Sequence, residues 1–449
     1  MISKNREVIF LKEKLQGKHF ILGFQHLFAM FGATVLVPAL TNMNPAIALL
    51  AAGLGTLIFH FCTKGKVPVF LGSSFAYIAA LIAIIGGDPA NIPKAQGAII
   101  IAGLVYLALS VIVYFVGADK IRRLFPPIVT GPVIMVIGLN LSPTAITNAS
   151  ECWPLAIIVL VSIVAIMCFT KGFFKMVPIL TGIVIGYAVA LISDLTGLTA
   201  LCGFGGEAGR LIDFSVVEKA SWFIDFKQFH LPVFDISAIS ILAPVAFVTF
   251  MEHIGDITTN GAVVGQDFFK DPGMHRTLLG DGIATSVAGL IGAPPNTTYG
   301  ENTGVLAVTK VYDPRILRIA ACYAIVLGLI GKFGAVLQTL PTALMGGVSF
   351  ILFGMIAAIG MRTLTEAKLD FSHSRNLLIT GIILVLGLGL GNVSMKWIFD
   401  LFGAGGSEVA NTLSLSGLFL ATLVGVLLNL ILPKEETKEP KKEKIKKNK

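Results

Sequence analysis

The sequence predicts an all-α polytopic membrane protein with fourteen transmembrane segments in a 7+7 inverted repeat. Composition is the first ground. Of 449 residues, 55% are hydrophobic and 13% charged, and mean hydropathy is +0.84, whereas soluble domains carry roughly 25% charge. The charge is also gathered at the ends: 7 of the 60 charged residues fall in residues 1–18 and 12 in residues 434–449. An ordinary soluble fold, a disordered chain and a secreted disulfide scaffold are excluded. Transmembrane strands would alternate weakly over roughly ten residues, but stretches such as Ile99–Val116 are continuously apolar.

The second ground is segmentation. A helical span needs about 20 apolar residues. Polar, Pro-rich and Gly-rich breaks leave stretches near 19–41, 45–62, 70–86, 95–117, 125–142, 154–170, 176–194, 236–255, 277–292, 299–311, 314–339, 341–360, 375–392 and 412–432. The positive-inside rule tests this division. With the N-terminus inside, the inner loops hold Lys64/Lys66, Lys120/Arg122/Arg123, Lys171/Lys175, Lys270/Arg276, Lys310/Arg315 and Arg362/Lys368/Arg375, and the basic tail is inside too. Outer loops such as Thr41–Pro45 and Ser142–Trp153 hold no Lys or Arg. A missed span would invert every later loop, so the agreement predicts an even number and two cytoplasmic termini. The longest connection, 195–235, falls outside. No cleavable signal is expected, because the first apolar run, from His19, is long enough to span.

Internal repetition is the third ground. Phe24-Gln25-His26 is answered by Met251-Glu252-His253, an offset of 227. Gly72-Ser73-Ser74-Phe75-Ala76 is answered by Asn296-Thr297-Thr298-Tyr299-Gly300, and Phe125-Pro126 with Gly131 by Leu340-Pro341 with Gly346. Seven spans duplicated must insert upside down, because seven is odd. Inverted repeats are a transporter signature, with substrate held near mid-membrane at discontinuous segments of the two halves.

Those segments are the third and tenth, which are short, rich in Gly and hydroxyl residues, and follow Pro68 and Pro294-Pro295. Ser73–Tyr77 and Thr297–Glu301 read as extended chain, which is tolerated at membrane depth only inside protein or beside a cavity. The site is expected where they meet. Buried charge sharpens the expectation. Glu252 and Asp256 are four apart and share a helix face, Asp281 lies between two glycines, and Glu301 lies in the tenth segment. No Lys or Arg within these spans is available to pair with Glu252 or Glu301. Asp281 reads either as part of a proton-coupling set with Glu252, Asp256 and Glu301, or as a helix N-cap. His60 reads as a satisfied polar residue near a helix end. Phe75 and Tyr299 read as packing aromatics or as ligand-stacking rings. Carboxylates flanked by aromatics suit a small planar ligand with N–H donors, and crowded carboxylates suit proton coupling.

Other readings are weaker. The net charge of +8 sits in short loops and a tail rather than along a helix face, so the expected partner is the lipid bilayer and not nucleic acid. Cys62, Cys152, Cys168, Cys202 and Cys322 show no metal spacing. Neither a metal nor a cofactor is expected, and Cys152 and Cys202 are expected as free thiols. An enzyme would need a nucleophile–base pair, which the sequence lacks. An anion transporter or channel of similar inverted-repeat fold would need a basic residue or opposed helix N-termini at the site.

At these residues the chain resembles the nucleobase–ascorbate transporter family, also called nucleobase–cation symporter-2. The resemblance covers residues 15–433. The family's Gln-His pair is matched by Gln25-His26, and its signature, Gln/Glu/Pro-Asn-x-Gly-x4-Thr-Arg/Lys/Gly, by Glu301-Asn302-Thr303-Gly304 through Thr309-Lys310. Tyr299-Gly300-Glu301 and Gly72-Ser73-Ser74-Phe75 are most similar to its bacterial uracil permeases; purine and urate members usually carry Gln at the Glu301 position. The resemblance implies a proton-coupled uracil importer of the bacterial plasma membrane, with a purine permease as the alternative. It also implies a core domain (19–117 and 236–339) and a gate domain (118–194 and 340–433), with segments 1–18 and 434–449 cytoplasmic and a homodimer through the gate domains. Glu252 and Glu301 would hydrogen-bond the base edge, the Phe75 and Gly300 amides would meet its carbonyls, and Tyr299 would line the pocket, with Gln25, His26 and Asn302 in support. Some members place a histidine where this chain has Asp256, which either substitutes for it or tunes Glu252.

Overall fold

The structure, a computed structural model, describes residues 16–205, 209–224, 229–394 and 414–433. The basic tail and most of the N-terminal segment lie outside the described residues. Helices α1 (Gly17–Leu40) and α2 (Pro45–Cys62) form the first two stretches. Asn44 starts α2 by accepting the Ala46 N–H at 2.8 Å, with Pro45 preset for the first turn. The third stretch is broken into β1 (Leu71–Ser73), a 3-10 turn (Phe75–Tyr77) and α3 (Ile78–Ile85). There follow α4 (Ile92–Val116), short α5 (Ala118–Leu124), α6 (Pro127–Asn140), α7 (Ser142–Ser150), α8 (Trp153–Phe169), one-turn α9 (Phe173–Met176) and α10 (Pro178–Leu195). The long connection carries α11 (Leu198–Leu201) and α12 (Ser215–Lys219).

The second half opens with α13 (Ile236–Leu242), α14 (Val245–Val264) and α15 (Met274–Ile291). Its broken stretch is β2 (Asn296–Thr298) followed by α16 (Gly300–Thr309). Then come α17 (Pro314–Leu329), α18 (Gly331–Gln338), α19 (Thr342–Glu366), α20 (Ser374–Gly389) and α21 (Gly417–Ile431). Every one of the fourteen expected stretches contains helix. By length and composition, 7 helices among the described residues can cross a membrane. Large apolar side chains stand exposed on the outer faces, among them Val111, Phe115, Val161 and Val385, as a lipid-facing surface requires.

One boundary differs in an instructive way. The eighth stretch is expected to end near 255, yet α14 continues to Val264 and stops at left-handed Gly265 (φ 79°). The helix persists because its polar side chains meet protein rather than lipid. Asn260 Nδ2, for example, donates to Pro68 O at 3.0 Å and to Thr303 Oγ1 at 3.1 Å.

The repeat is visible in three dimensions. β1 and β2 pair antiparallel, with Gly72 opposite Thr297 and Ser73 opposite Asn296. Adding the sequence offset of 224 to one of these pairs generates the other, so a local two-fold axis runs through the crossing. Helix packing obeys the same relation: α2 packs on α17 as α15 packs on α4, and α8 on α10 as α20 on α21. The most extensive contacts fall into two sets, one joining α1, α2, α4, α15 and α17, the other joining α6, α7, α8, α10 and α19 to α21. Loops expected on one membrane face also meet. Lys66 is ion-paired with Asp271, and Arg276 Nη1 donates to Cys62 O at 3.1 Å. All five cysteines are free.

Candidate functional site

The site is built at the crossing of the two broken stretches. An unpaired peptide group at membrane depth costs several kcal/mol, and here neighbouring elements supply partners. The Leu71 N–H donates to Thr56 Oγ1 at 2.9 Å, Ser74 N to Pro295 O at 2.8 Å, and Tyr299 N to Phe70 O at 3.0 Å. Asn296 Nδ2 donates to Ala51 O at 3.0 Å, and Asn296 O accepts from Thr285 Oγ1 at 2.9 Å.

The extended chain, Leu71–Ser73 and Asn296–Thr298, starts two residues earlier than the sequence suggests in the third segment and one earlier in the tenth, and ends four and three residues earlier. Phe75–Tyr77 is a 3-10 turn, and Gly300 and Glu301 open α16. The strands persist only while they face each other. Where they part, each chain satisfies its own backbone by coiling. Two helical segments therefore start at the crossing, with the Phe75 and Gly300 ends directed at it and first-turn N–H groups that helix geometry leaves unpaired.

The carboxylates gather at one of these ends. Glu252 and Asp256 lie one turn apart on α14, which packs on α16. Asp256 Oδ2 accepts from Thr298 Oγ1 at 3.0 Å, and Asp256 Oδ1 stands beside Gly300, 3.7 Å from where a Cβ there would lie. Glu301 occupies the first turn of α16, where negative charge suits the helix dipole. Glu252 Oε2 is buried and has no hydrogen-bond partner among the described residues. Neither Glu252 nor Glu301 is ion-paired among them. Ser73 Oγ, Ser74 Oγ and Thr297 Oγ1 are likewise buried without partners there.

The aromatic residues divide. Phe75 is buried and meets Phe353 of α19 edge-on, with ring centroids 6.1 Å apart. Tyr299 is buried, and its hydroxyl donates to Ser73 O at 2.9 Å and lies 3.4 Å from Thr34 Oγ1 of α1. Its ring braces the crossing.

Asp281 is not a helix cap. α15 begins at Met274 with Gly273 before it, so Asp281 lies two turns inside. It is wholly buried, with Oδ2 2.7 Å from His253 Nδ1, while His253 Nε2 lies 2.9 Å from Thr277 Oγ1. Thr277 gives its own proton to Met274 O at 2.9 Å, so it accepts from Nε2–H. This pair fixes α14, and Glu252 with it, against α15. Asn302 Nδ2 donates to His26 O at 3.0 Å and lies 3.2 Å from His26 Nδ1, tying α1 to the turn that follows Glu301. Gln25 points elsewhere, with Nε2 2.6 Å from Met176 Sδ. His60 Nε2 is 2.9 Å from Val69 O, near the end of α2.

The structure thus brings Phe75, Glu252, Asp256, Tyr299, Gly300 and Glu301 to the crossing, and sets His26, Asn302 and Asp281 behind it. The sequence places His253 at membrane depth but gives it no role, and it does not point to Thr298 or Phe353. His253 was visible beside Glu252, whereas Phe353 carries no local signal. Among the described residues no three His, Cys, Asp or Glu side chains are grouped to hold a metal ion.

Comparison with known proteins agrees with this architecture. A family model described as Permease family (Xan_ur_permease) matches residues 17–396. A uracil permease of Bacillus subtilis (strain 168) is 42% identical over 435 residues, covering 92% of each chain. A uracil permease of Bacillus caldolyticus is 41% identical over 446 residues, covering 96% of this chain and 95% of that one. Among solved structures, the transmembrane domain of the bicarbonate transporter BicA from a cyanobacterium superposes with a TM-score of 0.57 at 15% identity, over 88% of this chain and 99% of that one. That likeness concerns the fold alone. The chain belongs to this permease family and is a multi-pass membrane transporter, not an enzyme.

Proposed function

We propose that this protein imports uracil together with protons by alternating access. The observation that carries the reading is the opposition of Glu252, with a buried and unpartnered carboxylate oxygen, to the helix start that holds Gly300 and Glu301. A planar base with two ring N–H groups and two carbonyls finds its acceptors in Glu252 and Glu301. Its donors are the free N–H groups at Phe75 and Gly300. The relatives named uracil permease support the choice of base. A purine permease of the same fold is the alternative, and Glu301 in place of Gln speaks against it.

The anion reading is weaker for a physical reason. Opposed helix N-termini are present, as an anion site requires, but Glu301 and Asp256 already place carboxyl groups at one of them. Glu252, Asp256, Glu301 and Asp281 are the proposed proton-coupling set. The helix set around α1, α2, α4, α15 and α17 is the proposed core domain and the set around α6 and α19 the gate, in fourteen spans of a bacterial plasma membrane with both termini cytoplasmic. Dimerisation through the gate domains belongs to the same proposal. Uptake of labelled uracil by proteoliposomes with an imposed pH gradient is the test, with xanthine, thymine and chloride as competitors. Uptake that follows the gradient is expected. Inhibition by xanthine but by no pyrimidine would overturn the choice of uracil.

A further inference from the structure

A cavity lies away from the carboxylate site. It has a volume of about 680 Å³, within the range typical of small-molecule pockets. Its walls come from both helix sets: Asn42 between α1 and α2, Gln96 of α4 and Gln338 of α18 on one side, Asn148 of α7 and Thr342 and Met345 of α19 on the other. Together with Asn44, five carboxamides line it, and no Asp, Glu, Lys or Arg does. Pro38, Met43, Leu337, Met345 and Gln96 are buried, Asn44 and Asn148 are half-buried, and Asn42, Gln338 and Thr342 are exposed, so polar groups line the cavity from its buried base to its accessible rim.

Two helices place this cavity relative to the crossing. On α1, Thr34 approaches the Tyr299 hydroxyl, and Pro38, one turn on, lines the cavity. On α19, Phe353 meets Phe75, and Met345, eight residues earlier, lines the cavity. At 1.5 Å per residue these separations are roughly 6 and 12 Å. The cavity therefore lies next to the crossing, on the side opposite the Lys66–Asp271 loops. The long connection helps to wall it. His230 lines it, with its backbone carbonyl held by Gln96 Nε2 at 3.3 Å, and Val233 N donates to Pro93 O at 2.8 Å.

We infer that this cavity is an antechamber that binds an uncharged amide- or imide-bearing ring before it reaches the crossing. The inference rests on the uracil reading and deepens it. A carboxamide offers one acceptor and two donors on a flat group, and pairs edge-to-edge with the N–H and C=O of a pyrimidine ring. Gln96 Nε2 already donates to His230 O and Gly289 O, and Asn44 Oδ1 already accepts from Ala46 N, so this pairing falls to Asn42, Asn148 and Gln338. A charged analogue surrenders hydration here and meets no Asp, Glu, Lys or Arg of opposite charge. Because the walls belong to both helix sets, movement of one set against the other alters the cavity.

The test is uracil uptake by intact cells producing the full chain, with substrate supplied from outside. Gln338 and Asn148 are the residues to change, since both lie on helices. The double variant Gln338→Leu/Asn148→Leu should raise KM about fivefold, as expected for the loss of neutral hydrogen bonds, with the maximal rate kept. Gln338→Asn/Asn148→Gln should restore the wild-type KM. Gln338→Lys should make orotate, the same ring bearing a carboxylate, a competitive inhibitor of uracil uptake. An unchanged KM in the Leu variant, or a fall in maximal rate alone, overturns the antechamber and leaves the uracil reading standing. Absence of uracil uptake by the wild-type chain overturns both.

Discussion

The ring of Tyr299 lies where the Cβ of any residue but glycine at position 72 would stand. Gly72 is paired with Thr297 across the strand crossing, and the Tyr299 hydroxyl reaches past it to Ser73 O. Gly72→Ala should therefore displace the ring and open the crossing, at a cost of about 1–3 kcal/mol from overpacking. A lowered thermal midpoint in detergent, together with lost uracil binding, is the expected result. A variant as stable as wild type would mean that the ring has room to move.

Glu301→Gln should lose most uracil transport. The amide keeps the shape but turns one acceptor into an NH₂ donor, and a mispaired buried donor costs roughly 1–3 kcal/mol, or about fivefold to 150-fold in affinity. Weak recognition of purines is a further expected outcome. Wild-type uptake at normal expression would remove Glu301 from the site.

Glu252→Gln and Asp256→Asn should behave differently. Glu252 has an unpartnered buried oxygen, whereas Asp256 is already engaged by Thr298. The first substitution should abolish uracil binding. The second should keep binding but flatten the rise in uptake that external acidification from pH 8 to pH 5 is expected to produce. If Asp256→Asn retains the wild-type pH profile, Asp256 is structural, and coupling falls to Glu252, Glu301 or Asp281.

His253 and Asp281 should prove to be one unit. Removing one partner of a buried pair strands the other, which costs about 3–5 kcal/mol. His253→Ala and Asp281→Ala should each lower stability by that order. The double variant should lose much less than the sum, because the second substitution removes an already stranded group. Additive losses in thermal unfolding would separate the two residues.

Lys66→Met is the contrasting case. Lys66 and Asp271 are paired, but both are solvent-exposed, and exposed pairs contribute about 0–1 kcal/mol. A large fall in thermal midpoint would show that the two loops depend on each other beyond this ion pair.

By itself the sequence determined the membrane class, the helical stretches and the duplicated plan. Those properties are local or statistical: apolar length, the placement of Lys and Arg, and similar residues at similar offsets. It also located the crossing, because Pro68 and Pro294-Pro295 interrupt helices beside Gly and hydroxyl residues, and it singled out Glu252 and Glu301 as charges without a pairing cation. Tertiary structure decided the rest. Whether Asp281 capped a helix or met a partner depended on His253 of another helix, 28 residues away. The contacts of the Tyr299 ring and hydroxyl with Gly72 and Ser73 join residues more than 220 positions apart. The opposition of Phe353 to Phe75, and the amide-lined cavity between the two helix sets, leave no periodic trace, because they exist only where distant helices are brought together. The physical reason is that a span's hydropathy records its exchange of water for lipid, while the partner of each buried polar group is set by packing between helices.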